Sequence, residues 1–138
     1  MARLVSFGRL LPLFLSIALA GPALAVEPSG RAVRVDPAVN ASGITGSRLL
    51  VLEGAVFMGD EIVAQPHGLA QIRFIDNTRI VIGPNSRLRI DTFIFNPDYT
   101  AKNVTITAVK GMFRFISGNS PDGAYQIRTP TMTIGIRG

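Results

Sequence analysis

Leu69-Ala-Gln-Ile-Arg-Phe-Ile-Asp-Asn-Thr-Arg-Ile-Val-Ile82 decides the fold. Its first half places Ala70, Ile72 and Phe74 on one face and Gln71 and Arg73 on the other, the period of two that marks a half-buried strand. Asp76 and Asn77 tolerate the positive φ that a two-residue type I′ hairpin demands. Thr78 to Ile82 then returns with Ile80 and Ile82 on one face. The stretch predicts two antiparallel strands joined by a tight turn.

The same pattern extends in both directions. Downstream, Gly83-Pro84-Asn85 is a turn, and the run from Ser86 to Phe95 begins with Leu88 and Ile90 inward between Arg87, Arg89 and Asp91. Phe93 and Phe95 are then the large apolar residues, so the phase slips by one, which predicts a β-bulge at Asp91–Phe93. Asn96 to Thr100 makes a loop. Val104, Ile106 and Ala108 alternate with Thr105 and Thr107, and Gly111 separates them from Met112-Phe-Arg-Phe-Ile116. Ser117 to Gly123 reads as a long exposed polar loop, and Tyr125–Arg128 and Met132–Ile136 as two last strands around Pro130, which cannot donate to a ladder.

Upstream, the apolar run Arg48–Leu52 is broken by Gly54, and Met58-Gly59-Asp60 turns Ala55–Phe57 into Glu61–Val63. Residues 26–47, rich in Pro, Gly, Ser and Ala, read as an extended lead-in with one short edge strand at Arg31–Val35. No window after residue 25 holds apolar residues at helical spacing for three turns. The expectation is an all-β fold of one domain, with about eight to ten short, mainly antiparallel strands, as a sandwich, a barrel or a solenoid.

Residues 1–25 combine Arg3 and Arg9, an apolar stretch from Leu10, and the small-residue ending Ala23-Leu-Ala25, the layout of a signal peptide cleaved before Val26. The rival reading, an uncleaved membrane anchor, is disfavoured because Pro12, Gly21 and Pro22 interrupt the apolar run. There is no cysteine among the 138 residues, so packing alone holds the exported product together. The expected domain is 48–138, of the commonest size class once the lead-in is added. The net charge is +5, to which the leader arginines contribute two, and no basic run occurs. That composition gives no case for a nucleic-acid partner, although a mild attraction to anionic envelope surfaces is compatible with it.

Four blocks occur in order: Gly54 with the Gly59-Asp60 turn, Asp76-Asn-Thr78 followed by Gly83-Pro-Asn-Ser86, Lys110-Gly-Met-Phe-Arg114, and Thr129-Pro130 with Gly135-Ile-Arg-Gly138. In these, over roughly Leu49–Gly138, the chain resembles the FecR domain, the periplasmic module of iron-citrate-type regulators. The resemblance implies a periplasmic, non-catalytic sensory or protein-binding module. Regulators of that family also carry a cytoplasmic anti-sigma segment, for which nine residues before the apolar stretch leave no room. The alternative function is a structural scaffold or passenger domain of a secreted or cell-surface protein.

No constellation for catalysis is legible. His67, the sole histidine, sits in Gln65-Pro-His-Gly68 as an exposed turn, without a second histidine or a cysteine to share a metal. The aspartates Asp36, Asp60, Asp76, Asp91, Asp98 and Asp122 mostly stand beside turn residues, whose backbone amides they cap. Expected catalytic, metal and cofactor residues are none. The candidate partner-binding residues are Arg114, Arg128 and Arg137, which would form a cationic stripe if their three strands pair. The expected partner is another envelope protein or a second copy, joined through an unpaired strand edge such as that of the last strand; the mature chain is expected to have no membrane span.

Overall fold

The computed structural model describes residues 8, 20–22, 25–121 and 123–130, together with the backbone of 133–135. The leader expected in 1–25 lies almost wholly outside the described residues.

Twelve strands follow one another without a helix among the described residues: β1 (Gly30–Asp36), β2 (Val39–Gly43), β3 (Gly46–Leu49), β4 (Ala55–Val56), β5 (Glu61–Ala64), β6 (Leu69–Phe74), β7 (Arg79–Ile82), β8 (Arg87–Phe95), β9 (Ala101–Lys110), β10 (Phe113–Ile116), β11 (Tyr125–Arg128) and β12 (Thr133–Gly135). They form a five-stranded sheet in the order β10-β7-β6-β1-β4 and a seven-stranded sheet in the order β12-β11-β9-β8-β5-β2-β3. Every pairing is antiparallel except β9 with β11. Two open sheets, not a closed barrel, resolve the architecture, and the strands exceed the eight to ten expected.

The inward faces of the two sheets make one core. Ile72, Ile80 and Ile82 from the five-stranded sheet and Ile62, Leu88, Ile90 and Ile106 from the seven-stranded sheet are fully buried in the same cluster. Aromatic pairs cross the gap at two places. Phe74 of β6 stacks on Phe93 of β8 with centroids 4.3 Å apart, and Phe115 of β10 meets Tyr125 of β11 edge-on at 5.4 Å. Such pairs add about 0.5–1.5 kcal/mol beyond the area they bury.

The expected bulge is present: Ile90 faces Ile106, Thr92 faces Thr105, and Asp91 is the extra residue. It restores the phase, so that Ile90 before it and Phe93 after it both enter the core.

Two expectations are corrected. The lead-in is not peripheral: β1 lies inside the five-stranded sheet between β6 and β4, and β2 lies inside the other between β5 and β3. Its buried residues are small because the backbones approach closely; a Cβ at Gly30 would stand 2.6 Å from the Arg73 oxygen. The β6–β7 turn is also longer than two residues. The Phe74 amide donates to the Thr78 oxygen across Ile75, Asp76 and Asn77, and of the two turn residues only Asn77 has a positive φ, 65°. The polar loop after β10 is exposed at Ser117, Asn119, Pro121 and Gly123, as expected, and is also tied to the β6–β7 turn. The Asn119 amide donates to the Asp76 oxygen and the Gly118 amide to Thr78 Oγ1.

Candidate functional site

Five arginines share the outer face of the five-stranded sheet. Register places Arg31 of β1 opposite Arg73 of β6, Arg73 opposite Arg79 of β7, and Arg79 opposite Ile116 of β10. A second row runs Arg34, Gln71, Val81, Arg114 across the same four strands. Arg31 and Arg34 are three apart, a spacing that would put them on opposite faces of a regular strand. A bulge at Val33 turns both outward.

Carboxylates hardly answer these charges. Asp36 pairs with Arg34 at 3.1 Å, and Arg31 reaches only the backbone oxygen of Glu53, at 3.5 Å. Among the described residues no acid lies within ion-pair distance of Arg73, Arg79 or Arg114. Two arginines on β8 of the seven-stranded sheet differ. Arg89 binds Asp91 at 2.6 Å, Asp91 also accepts a short hydrogen bond from Thr107, and Arg87 faces Glu61 at 3.7 Å. The Asp91 contact raises the pKa of Arg89 further.

The stripe expected of Arg114, Arg128 and Arg137 is not brought together. Arg114 lies on β10, which pairs only with β7, whereas Arg128 lies on β11 of the other sheet, opposite Thr107. Arg137 lies outside the described residues. Arg31, Arg73 and Arg79 are the group that sequence reasoning missed; the alternation of β6 and β7 gave the signal for Arg73 and Arg79, but not their register.

A second surface lies at the edge where β3 ends one sheet and β4 ends the other. The Leu50 amide donates to the Val39 oxygen at 2.7 Å. In an antiparallel ladder bonded and non-bonded pairs alternate, so Arg48 also faces β2 while Ser47 and Leu49 turn their N–H and C=O groups outward. Ile44, Leu49, Val51 and Leu52 around this edge are each more than half exposed. The apolar run Arg48–Leu52 is a strand only to Leu49; Leu50 enters the core and Val51–Gly54 forms a turn.

Behind this edge stands an ion pair whose carboxylate is buried. Arg48 Nη2 binds Asp60 Oδ2 at 2.5 Å and the Ala55 oxygen at 2.8 Å, and its guanidinium lies 5.3 Å from the Phe57 ring centroid. Asp60 is wholly buried and also accepts from the Phe57 amide. Arg48 thus ties the last strand of one sheet to the last strand of the other.

Asp76 is the other buried acid. Its Oδ2 accepts from Tyr125 at 2.6 Å, Thr78 Oγ1 at 2.7 Å and Ser120 Oγ at 2.7 Å, and its Oδ1 from the Thr78 amide at 3.0 Å. With all four donors supplied from within the fold, its role is structural. His67 is exposed in the turn Gln65–Gly68. Among the described residues no group of three His, Cys, Asp or Glu is placed to hold a metal, and no helix is long and apolar enough to cross a membrane.

Two packed sheets with a cationic face and an open edge flanked by apolar side chains make up this cysteine-free β-domain. The model of the family described as FecR protein matches residues 60–138, more than half of the chain, and the chain belongs to the FecR family. The match begins at Asp60, so Gly54 lies before it. The chain is also similar to a solved structure described as a cell surface anchoring domain, 31% identical, covering 44% of this chain and 82% of that one with a TM-score of 0.42. No curated protein matches the chain.

Proposed function

We propose that this FecR-family chain is an exported, non-catalytic module of the periplasm or cell surface that signals by binding another envelope protein. The observation that carries this reading is the outer edge of β3, where Ser47 and Leu49 present unpaired backbone groups beside four exposed apolar side chains. A strand added there gains main-chain hydrogen bonds from the edge and side-chain specificity from Leu49, Val51 and Leu52. The Arg48–Asp60 pair holds the edge in place.

A photo-crosslinking amino acid at Leu49 tests this in the producing cell. A discrete cross-linked product at Leu49, absent when the probe stands at exposed Ile94 on β8, three strands away in the same sheet, is the expected result. Equal products at both positions, or none at Leu49, contradict it.

A further inference from the structure

We infer that the outer face of the five-stranded sheet docks on an anionic lipid surface. The inference is independent of the β3 edge, and it starts from the contrast between clustered arginines on this face and the paired arginines of β8. Arg87 and Arg89 on the seven-stranded sheet each have a carboxylate partner, whereas Arg31, Arg73 and Arg79 stand opposite one another in register with none among the described residues. Like charges in cross-strand register repel. An external plane of negative charge removes that repulsion, and among the described residues no acid does so: Asp36 is already held by Arg34.

The arrangement selects among anionic partners. The charges form two rows across four strands, with partner Cα atoms about 4.5–5.5 Å apart across each pair. That is a patch, not a track, and it suits headgroups that rearrange in a plane. Apolar side chains stand within it: Ile116 ends the first row, Val81 lies in the second, and Leu69, Val81 and Met112 line a shallow depression of about 270 Å³ beside Arg114. Arginines interleaved with exposed apolar groups match the interfacial zone of a bilayer, where charge and acyl boundary are offered together. An open depression of about 430 Å³ at the other end, lined by Arg31, Arg73 and Asn77, has room for a headgroup. A single-stranded nucleic acid calls for exposed aromatic rings to stack its bases, and the one exposed aromatic residue among the described residues, Tyr99, lies in the β8–β9 loop.

The test is co-sedimentation of the full chain with vesicles of phosphatidylglycerol and phosphatidylcholine, set against phosphatidylcholine alone. Both the parent and its variants carry the same N-terminal apolar segment, so the difference between vesicle types isolates the charged face. R31Q/R73Q/R79Q is expected to lose roughly 100-fold of the phosphatidylglycerol-dependent partitioning, from about 1 kcal/mol per arginine near such a surface. R87Q/R89Q, on the other sheet, is expected to bind like the parent, and about 0.5 M salt to release both. If the triple variant loses its thermal transition, R79Q/R114Q serves instead, with roughly 30-fold loss expected. Parent-like binding by the arginine variants overturns the inference, as does an equal loss in R87Q/R89Q. Tighter capture by soluble polyaspartate than by the vesicles also overturns it, in favour of an acidic protein.

Discussion

The Tyr125 hydroxyl donates to Asp76 Oδ2 at 2.6 Å, joining the tip of the β6–β7 hairpin in one sheet to the first residue of β11 in the other, 49 positions along the chain. Both residues are buried, and Thr78 and Ser120 complete the cluster. A carboxylate in such a place is tolerated only because every lone-pair direction in use meets a donor.

Tyr125→Phe removes one donor and leaves three, so it is expected to cost about 1–2 kcal/mol, whereas Asp76→Ala strands three hydroxyl groups and is expected to cost about 3 kcal/mol or more. Denaturant midpoints decide the order. Equal losses would contradict the hub role of Asp76.

The same cluster gives a pH dependence. Burial, and then the bond to Asp76, raise the pKa of Tyr125 above its ordinary value. A phenol whose folded pKa is raised contributes stability that is complete below the unfolded value of about 10 and is lost as pH climbs from there toward the folded value. Stability of the parent is therefore expected to fall above about pH 10 more steeply than that of Tyr125→Phe. Parallel decline of the two across the alkaline range would contradict this.

Arg48 and Asp60 are unequally buried, and their variants differ accordingly. Arg48→Met leaves a wholly buried carboxylate with the Phe57 amide as its remaining partner and is expected to cost about 3–5 kcal/mol. Asp60→Asn leaves a guanidinium that already reaches solvent and is expected to cost about 2 kcal/mol. Urea unfolding checks the ranking.

Gly118 lies against the backbone of the β6–β7 turn, where an added Cβ would overlap the Asp76 oxygen and stand 2.6 Å from the Asn77 carbonyl carbon. Gly118→Ala is expected to destabilise by about 1–3 kcal/mol, since backbone, not a flexible side chain, must give way. Gly123→Ala meets nothing within 4 Å but has a φ of 85°, so its cost is expected to be conformational alone. Thermal melts of the two separate steric from conformational cost.

Where apolar and polar residues alternate without interruption, as in Leu69–Ile82, the sequence alone was enough to place strands and faces. The slip between Ile90 and Phe93 was legible for the same reason, because it breaks an otherwise regular pattern. The small buried residues Ala32, Val39 and Ala41 gave no such contrast, so β1 passed for an edge strand and β2 for lead-in although both lie inside sheets. Asp76 looked like a turn residue because its distant partners Ser120 and Tyr125 come from β10–β11 and are invisible to local pattern. The arginine face was hidden twice: the Val33 bulge disguises the shared orientation of Arg31 and Arg34, and the parallel β9–β11 pairing carries Arg128 to the other sheet.

Recognition through the β3 edge requires that this edge be open, and residue-resolved amide hydrogen exchange on the isolated protein measures that directly. The amides of Arg48 and Leu50, bonded to β2, are expected to exchange slowly, and those of Ser47 and Leu49 to exchange fast. Uniform protection of all four would show the edge already covered and would contradict the account.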